Sequence, residues 1–429
     1  MAADTIFALS SGALPAAIAV MRISGPDAFS AVQALAGSLP APRRASLRTL
    51  RDDEGHMLDE ALVLVFPGPN SATGEDLAEL HLHGGRAVVR AVEAALSAIS
   101  GLRPAEAGEF TRRAFANGRI DLNEAEGLAD LLAAETEWQR RAAAQMAGGT
   151  FSRLVEEWRI GLLNVSGELE AALDFSDEDD VGEQDYTGLS NRCADLHDVM
   201  SAYLNVPSAE KLRDGLRVVI AGPPNSGKST LLNALVAREA AIVSDIAGTT
   251  RDLIEVPVAL GGIAFLLTDT AGLRGDSGDE IEMIGIERAE AAIATADIVL
   301  WLGAEGQGPE HSDLIEVAAK ADDPHNVAKS ASALKVSART GEGIQLLVET
   351  LIETGRELLP PPDSIAMNRR QHRLLGEATV ALARVGQLND PLMMAEELRQ
   401  ARLALDALTG RAGTEDMLDG LFGRFCIGK

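Results

Sequence analysis

The sequence predicts a multidomain protein of mixed class, with an α+β domain, an α/β domain and a helical region that the α/β domain splits into two halves. The chain has 429 residues, too many for one ordinary hydrophobic core. Short β-type runs alternate with helical patterns over roughly the first 115 residues. From Leu216 onwards the order strand, glycine loop, helix repeats, which is typical of a parallel sheet.

Each segment rests on a local pattern. The runs AIAVMRI, ALVLVF and LAELHLH indicate strands of the α+β domain, and apolar residues then recur at helical spacing from Leu122 to Leu173, interrupted only at Gly148-Gly149. The runs LRVVIAG, GIAFLLTDT, ADIVLWLG and ALKVSA indicate the parallel strands. After the linker LLPPPDS, helical periodicity resumes from Gln371 to Leu421. The resulting bounds are 1–117 for the α+β domain, 118–212 for the first helical half, 213–362 for the α/β domain and 363–429 for the second helical half.

The composition indicates a cytoplasmic protein. No segment approaches the roughly 20 apolar residues that span a bilayer, and the start, MAADTIFALSSG, lacks the basic region that opens a secretory signal. The two cysteines, Cys193 and Cys426, are too few for a disulfide framework or a four-ligand zinc site.

The net charge of −27 argues against broad, non-specific nucleic-acid binding, because RNA phosphates would be repelled over most of the surface. Any RNA contact is therefore local. The best basic candidate is NRRQHR at 368–373, although a solvated helix start after the prolines at 360–362 explains these residues at least as well.

The stretch GPPNSGKS at 222–229 has the spacing of a phosphate-binding loop. It follows a predicted strand and precedes the helical run TLLNALV, which is the context that distinguishes such a loop from an ordinary turn. Loop amides and the positive end of the helix would hold the phosphates, Lys228 would neutralise the β and γ charges, and the Ser229 hydroxyl would bind magnesium.

Two further elements follow in the order that GTPases use. The stretch DTAG at 269–272 begins 47 residues beyond Gly222, where a carboxylate can hold magnesium through water and the Gly272 amide can meet the γ-phosphate. Between them lies SDIAGTTRD, whose Thr249 or Thr250 can close a loop over the metal, although a threonine pair in a loop is otherwise unremarkable. The three elements together favour a GTPase over a general ATPase.

The residue after Gly272 is Leu273, where many GTPases carry the glutamine that orients the attacking water. Leucine cannot orient a water molecule. The nearest alternative is the acidic cluster Asp279, Glu280 and Glu282, although composition alone favours an acidic helix start there.

These residues carry a resemblance to a known family. The set GPPNSGKSTLLNAL, AAIVSDIAGTTRD, DTAGLR and IGIERAE, with the final FGRFCIGK, resembles the MnmE/TrmE family of potassium-dependent tRNA-modification GTPases. The likeness extends to the front of the chain through MRISGP, TGEDLAELHLHGG and GEFTRRAFANGRIDLNEAEGLADLL, so it covers nearly the whole chain. It implies that the α/β domain is a Ras-like P-loop GTPase domain, inserted into the helical domain.

In the GTPase domain the resemblance implies a potassium ion bound by Asn225 together with Ser244, Ile246 and Thr249. Such an ion would act where other GTPases use an arginine finger. Glu282 would orient the water, with Lys228 as the other catalytic residue, and Ser229, Thr250 and Asp269 would hold Mg²⁺. The implied nucleotide-binding residues are Asn225, Ser226, Gly227, Lys228, Ser229, Thr230, Ser244, Asp245, Ile246, Ala247, Gly248, Thr249, Thr250, Asp269, Thr270, Ala271, Gly272, Lys329, Ser337, Ala338 and Arg339.

In the front domain the resemblance implies a folate-binding and dimerisation fold. Arg22, Glu79, Arg119 and the terminal Lys429 would bind a 5-formyl- or 5,10-methylene-tetrahydrofolate. The family has lysine where this chain has Arg119, so the charge is kept but the planar guanidinium differs. Cys426 is either a small buried residue or, on the family pattern, a thiol that the tail carries towards folate and substrate.

One family element does not match. The family carries Asn-Lys-x-Asp, whose aspartate selects guanine, and we align it with Ala328 to Ala331, where only Lys329 agrees. The missing polar groups predict weaker or less selective GTP binding, by about 1 to 3 kcal/mol. Asp322 or Asp323 is an alternative source of the carboxylate.

The function implied by the resemblance is GTP hydrolysis that drives modification of the wobble uridine of tRNA at carbon five. The implied partner is the FAD-containing protein MnmG/GidA, in a heterotetramer built on a homodimer of this chain. Two alternatives remain: a GTP-switched RNA-binding assembly factor, which the acidic composition disfavours, and a degenerate scaffold with weak GTPase activity.

Overall fold

The computed structural model describes residues 4–174, 186–238, 255–270, 279–323, 329, 333–411, 415–423 and 425–428. They form two compact units, the first made of 1–129 with 406–429 and the second of 130–405. The strands are β1 (Thr5–Leu9), β2 (Ile18–Ser24), β3 (Ser46–Arg51), β4 (Met57–Phe66), β5 (Leu77–His83), β6 (Leu102–Pro104), β7 (Leu216–Ala221), β8 (Glu255–Leu260), β9 (Ile263–Asp269), β10 (Ile298–Trp301), β11 (Leu314–Ala318) and β12 (Leu334–Lys335).

The helices lie between these strands and after them. Their bounds are α1 (Ala28–Ala36), α2 (Arg86–Ala98), α3 (Glu109–Ala116), α4 (Leu122–Ala133), α5 (Glu137–Ala147), α6 (Thr150–Asp174), α7 (Thr187–Leu204), α8 (Ala209–Asp214), α9 (Lys228–Arg238), α10 (Asp279–Ala294), α11 (Ile344–Leu358), α12 (Arg369–Val385), α13 (Pro391–Thr409) and α14 (Glu415–Phe422). None of the described helices is both long enough and apolar enough to cross a membrane.

The first unit is built on a six-stranded sheet in the order β3-β4-β5-β2-β1-β6. Neighbouring strands are antiparallel, except that β1 and β6 are parallel. One face packs against α1 and α2, where Met21, Leu80 and Leu82 join Val92 and Leu96 in the core. Because side chains alternate along a strand, the residues between these core positions point to the other face.

The second unit contains a six-stranded sheet in the order β12-β11-β10-β7-β9-β8. Its strands are parallel except for the edge strand β8, which is antiparallel to β9. Helices α9 and α11 contribute Leu231, Leu235, Leu347 and Leu351 to the core of this sheet. The prediction of an α/β domain is confirmed.

The helical region is split in sequence, as predicted. Helix α7 precedes the sheet of the second unit and α12 follows it, yet the two helices pack against each other. Helix α12 begins after the N-cap Asn368, whose side chain accepts a hydrogen bond from the Gln371 amide at 2.9 Å. The stretch 368–373 is therefore a capped helix start.

Two details differ from the prediction. The helical stretch that begins at Leu122 breaks a second time at 134–136, because Thr136 and Gln139 form a capping box that starts α5. Strand β11 is not among the predicted strands, and no helix separates it from β10, although the repeating pattern predicts a helix after each strand. The connecting residues, GAEGQGPEHSD, contain three glycines and a proline and no apolar side chain at helical spacing, so a helix has nothing to bury there.

A network of ion pairs ties the start of the chain to α3. Arg113 donates to Asp4 at 2.8 Å and to Glu109 at 3.0 Å, and Arg103 donates to the same two carboxylates. Burial alone would raise the pKa of Glu109, but hydrogen bonds from Arg103, the Glu106 amide and Arg113 hold it below its ordinary value. The network thus stabilises the first unit while its carboxylates are ionised.

We expect Arg113→Met to destabilise the first unit by about 3 kcal/mol at pH 7, because Glu109 would keep its charge in a buried setting with fewer partners. The free energy can be followed by hydrogen exchange of the β1 and α3 amides in urea. Since the folded-state pKa of Glu109 is lowered, the contribution is present above the unfolded pKa and is lost as the pH falls through the folded value. The difference between wild type and variant should therefore shrink below about pH 4.

Arg140→Met is the matched control. Arg140 pairs with Glu137 in the same way, but both side chains are 56% exposed, so the expected change in the free energy of unfolding is much smaller. Equal losses in the two variants would contradict a special role for the network.

Candidate nucleotide-binding site

The phosphate loop lies between β7 and α9. Lys228, the first residue of α9, is only 5% exposed, and its Nζ donates to the carbonyl oxygens of Gly222 at 3.0 Å and Pro223 at 2.9 Å. These bonds curl the loop around the lysine. The positive end of the α9 dipole and the buried ammonium together suit an anion.

The phosphate loop is closely packed at Gly222, beside Ser226. Gly222 has φ 152°, and a Cβ atom there would lie 3.1 Å from Ser226 Oγ and 3.2 Å from the amide nitrogen of Gly303. Ser226 Oγ is buried without a hydrogen-bond partner among the described residues. A buried hydroxyl in that state fits a site that is completed by a bound group.

A second polar group comes from the neighbouring strand. Because β7 and β9 are parallel and Ile220 pairs with Asp269, the phosphate loop and Asp269 leave the sheet at the same edge. Ser229 Oγ donates to the Asp269 carboxylate, and Thr270 Oγ1 donates to the Ile220 carbonyl oxygen at 3.0 Å. A hydroxyl beside a carboxylate is the oxygen donor set that suits Mg²⁺.

On the opposite side of the phosphate loop, the residues that follow β11 contact the loop after β12. Asp322 accepts from Ser337 Oγ at 2.6 Å and from Arg339 Nε at 2.7 Å. The Ser337 hydrogen bond lowers the pKa of Asp322 below its ordinary value, and Arg339 acts in the same direction. Lys320, two residues earlier, donates through Nζ to the Asn225 carbonyl oxygen of the phosphate loop at 2.6 Å.

This geometry differs from the alignment made on sequence. Lys329 is buried in an ion pair with Glu316 and donates to the Trp301 carbonyl oxygen at 2.9 Å. The stretch 319–322, AKAD, keeps the lysine and aspartate spacing of Asn-Lys-x-Asp with alanine in place of asparagine. The sequence signal for this stretch is its position directly after β11, a strand that the pattern of apolar runs does not predict.

Asn225 is the one predicted potassium ligand whose surroundings are described. It has φ 60°, in the left-handed region that asparagine tolerates better than most residues, and its side chain forms no hydrogen bond within the described part of the chain. The other predicted residues of this loop and of the switch, 244–250 with Ala271 and Gly272, lie outside the described residues. Glu282 lies in α10, and its side chain is also outside the described part.

In the first unit, the predicted folate residues Arg22 and Glu79 meet on the face of the sheet that α1 and α2 leave uncovered. They are directly opposite in the pairing of β2 with β5, and Arg22 Nη2 donates to Glu79 Oε1 at 2.8 Å. Both side chains are about four-fifths buried, and the Arg22 guanidinium lies 5.8 Å from the ring centroid of Phe110.

Arg119 approaches this region through Gly74. Its side chain is exposed, and its Cγ atom lies 3.1 Å from the position that a Cβ atom on Gly74 would take. The neighbour Thr73 Oγ1 lies 2.6 Å from Ser24 Oγ, and Ser24 shares the sheet face of Arg22. Lys429 lies outside the described residues.

The C-terminal tail docks on the first unit. Ile427 forms an antiparallel bridge with Ala107, Ser10 Oγ donates to the Gly428 carbonyl oxygen at 2.8 Å, and a Cβ atom on Gly428 would lie 2.2 Å from the Leu9 carbonyl oxygen. The exposed thiol of Cys426 lines a cavity of about 680 Å³ beside α2. Neither Arg22 nor Glu79 lines that cavity, so the described structure does not bring Cys426 to the arginine and glutamate pair.

Known proteins resemble this chain over its whole length. Residues 5–119 match the family described as GTP-binding protein TrmE N-terminus, and residues 122–426 match the family described as MnmE helical domain. The tRNA modification GTPase MnmE of Erythrobacter litoralis is 60% identical over 429 residues, which cover 99% of this chain and 100% of that protein. Those of Novosphingobium aromaticivorans and Zymomonas mobilis are 59% and 51% identical, again over 99% of this chain and 100% of theirs.

The fold, the phosphate loop and the identity over the full length agree. The chain belongs to the MnmE family of tRNA modification GTPases.

Proposed function

We propose that this protein hydrolyses GTP at the 222–229 loop and uses the hydrolysis to drive modification of tRNA. The observation that carries the proposal is the convergence, at one sheet edge, of buried Lys228 with the hydrogen-bonded pair Ser229 and Asp269. Lys228 offsets phosphate charge, and the serine and aspartate supply oxygens for Mg²⁺, with Thr250 as the further ligand. The magnesium ion, when bound, neutralises charge on the β- and γ-phosphates.

Selection of guanine falls to Asp322. Its ionised carboxylate can accept hydrogen bonds from the ring N–H and the amino group of guanine, whereas adenine offers no such pair of donors. Ser337 and Arg339 hold the carboxylate in place, and Lys320 joins the same loop to the phosphate loop. GTP selectivity is therefore retained despite the alanine at 319.

Asn225 is proposed as the side-chain ligand of a potassium ion, with Ser244, Ile246 and Thr249 completing an oxygen cage. An amide oxygen with no partner among the described residues suits a hard monovalent cation. The ion, when bound, supplies positive charge near the γ-phosphate. Glu282 orients the attacking water, since Leu273 cannot.

In the first unit, Arg22, Glu79, Arg119 and Lys429 are proposed to bind a tetrahydrofolate derivative. A carboxylate complements the amino and ring N–H donors of the pterin, and arginine or lysine complements the glutamate tail of folate. The half-enclosed Arg22 and Glu79 pair, next to an aromatic ring, fits such a ligand. Cys426 is proposed to take part in the one-carbon chemistry. For this role the C-terminal tail must carry the thiol to the Arg22 and Glu79 pair, which it does not reach in the described structure.

The product is proposed to be a (carboxymethyl)aminomethyl group at carbon five of the wobble uridine, made together with the FAD-containing protein MnmG/GidA. The uncovered sheet face of the first unit is a suitable homodimer surface, because Ile18, Leu47 and Leu62 are 58%, 57% and 43% exposed on it. Both described cysteines are free, in keeping with a reducing cytoplasmic setting.

The dependence of GTP turnover on potassium tests the proposed GTPase mechanism. Wild-type turnover should be at least tenfold faster in KCl than in NaCl at equal ionic strength. Asn225→Ala should lose most of this stimulation while keeping GTP affinity within a few-fold, because Lys228 and Ser229 remain. Steady-state phosphate release and GTP-analogue binding separate the two effects.

Asn368→Ala is the control for that experiment, since Asn368 caps a helix outside the nucleotide site. It should keep the full potassium response. Equal rates in the two salts for the wild type would support a scaffold with weak GTPase activity instead.

A change in nucleotide specificity tests the role of Asp322. In Asp322→Asn, the acceptor pair becomes one acceptor and one donor, so GTP should bind about 1 to 3 kcal/mol more weakly and XTP, whose 2-carbonyl accepts a hydrogen bond, should bind more tightly. Competition with a fluorescent nucleotide measures both. Because the pKa of Asp322 is lowered, wild-type selectivity should be constant from pH 8 to pH 5.

Asp323→Asn is the adjacent control and should leave the preference for GTP unchanged. If Asp323→Asn, and not Asp322→Asn, changed the preference from GTP to XTP, guanine would be recognised by Asp323 and the proposal for Asp322 would be wrong.

Complementation tests the folate residues and the overall function. Arg22→Met and Glu79→Gln should each weaken binding of 5-formyl-tetrahydrofolate at least tenfold, because each removes one charged partner of the ligand. In cells that lack the gene, neither variant should restore the modified wobble uridine measured by mass spectrometry of tRNA nucleosides.

Arg399→Met, at an exposed ion pair with Glu396, should behave as wild type in both assays. Failure of the wild type itself to restore the modified nucleoside would overturn the proposed function.

A further inference from the structure

One stretch of this acidic chain is basic without any acidic residue. The whole sequence has 65 aspartate and glutamate residues against 38 lysine and arginine residues, yet 28–51 contains four arginines and no aspartate or glutamate. A local excess of positive charge of this kind is what a polyanion requires from a protein whose remaining surface repels it.

The structure places these arginines at one edge of the first unit. Strand β3 is the first strand of its sheet, and within the described ranges it pairs only with β4, so one side of its backbone has no neighbouring strand there. Arg43 and Arg44 are exposed in the loop before β3, and Arg48 lies within the strand. We call Arg43, Arg44 and Arg48 the basic edge.

The loop is held in a defined position. The Arg43 amide donates to the Val65 carbonyl oxygen at 2.9 Å, and the Arg43 guanidinium lies 5.6 Å from the ring centroid of Phe66. Arg43 lies in a turn with φ 60°, and Arg48 lies in β3, so the basic edge runs from 43 to 48 at the rim of the sheet. Three guanidinium groups without carboxylate partners among the described residues suit a polyanion with several phosphates better than one small anion.

The guanidinium groups of the basic edge contact carbonyl oxygens instead of carboxylates. Arg43 Nη2 donates to the Asn70 carbonyl oxygen, and Arg48 Nη1 donates to the Leu47 carbonyl oxygen at 2.9 Å. Arg48 Nε is buried and lacks a hydrogen-bond partner among the residues that the structure describes. Within that part of the chain no carboxylate pairs with any of the three, in contrast to Arg22, Arg103 and Arg113.

The basic edge ends at Arg51, where the charge reverses. Arg51 donates to the Gly55 carbonyl oxygen at 2.9 Å, and Asp52, Asp53 and Glu54 follow it directly. Three acidic residues at that end would repel phosphates, so Arg51 is not counted as part of the basic edge.

We propose that the basic edge binds the phosphate backbone of the tRNA substrate. The inference rests on the proposed function, because it takes the polyanion to be tRNA. Guanidinium groups bind phosphate oxygens in pairs, and arginines without a carboxylate partner need not break an ion pair to do so. The edge positions the tRNA on the first unit, while the base itself is read elsewhere.

The test uses the full chain and an unmodified tRNA transcript with uridine at the wobble position, titrated by fluorescence anisotropy from 50 to 200 mM KCl. The triple variant Arg43→Ala/Arg44→Ala/Arg48→Ala should bind at least tenfold more weakly at 100 mM KCl. The slope of log Kobs against log salt should fall by about 2, since roughly 0.7 to 0.9 is lost per phosphate contact. GTP turnover should be unchanged.

The matched control is Arg140→Ala/Arg192→Ala/Arg399→Ala. It removes three exposed arginines, but each of them pairs with a glutamate. It should leave affinity and slope within twofold of the wild type. If the first triple variant unfolds, Arg44→Ala alone replaces it, with an expected loss of two- to fivefold, because no hydrogen bond of the Arg44 side chain is described.

Three results would overturn the inference. They are unchanged affinity and slope in the triple variant, and no tRNA binding by the wild type at 50 mM KCl. The third, from a parallel titration with polyglutamate, is a triple variant that loses polyglutamate binding but keeps tRNA binding. The last result would assign the edge to an acidic protein. In each case the wild type could still restore the modified wobble uridine in cells, so the proposed function is judged separately.

Discussion

The parallel pairing of β7 with β9 is the constraint on which the nucleotide site depends. Ile220 and Asp269 are register partners, so the phosphate loop and the carboxylate emerge together at one sheet edge. The pairing is held by a core in which β7, β9, α9 and α11 bury aliphatic side chains. A shift of one residue would turn Asp269 to the other face and separate it from Ser229.

The same sheet also positions the residues proposed to bind the base, through β11 and β12. These strands are parallel neighbours, so Lys320 and Asp322 after one meet Ser337 and Arg339 after the other. The connection from β10 to β11 has no helix, yet the register of β11 is kept, and with it the place of Asp322. Although alanine stands at 319, Lys320 and Asp322 are held by contacts to Asn225, Ser337 and Arg339.

Charge divides the molecule into places where a polyanion can and cannot bind. Many described arginines pair with carboxylates, as in the network around Arg113, and contribute to stability. The nucleotide site concentrates positive charge by burying Lys228 in a loop of carbonyl oxygens. The basic edge does so by leaving arginines without carboxylates at the rim of a sheet. A strongly acidic protein can therefore act on RNA without attracting it everywhere.

The sequence by itself determined the class of each domain, the phosphate loop, and the division of the helical region, because these depend on local spacing: 222–229 for the loop, and apolar periods of two or of three to four for the elements. The tertiary structure decided which lysine and aspartate lie beside the phosphate loop and the loop after β12. Lys329 pairs with Glu316, whereas the pairing of β11 with its neighbours brings Lys320 to Asn225. It likewise decided that Arg22 meets Glu79, and that Cys426 does not lie beside them, since contacts between distant residues follow from register and packing rather than from local pattern.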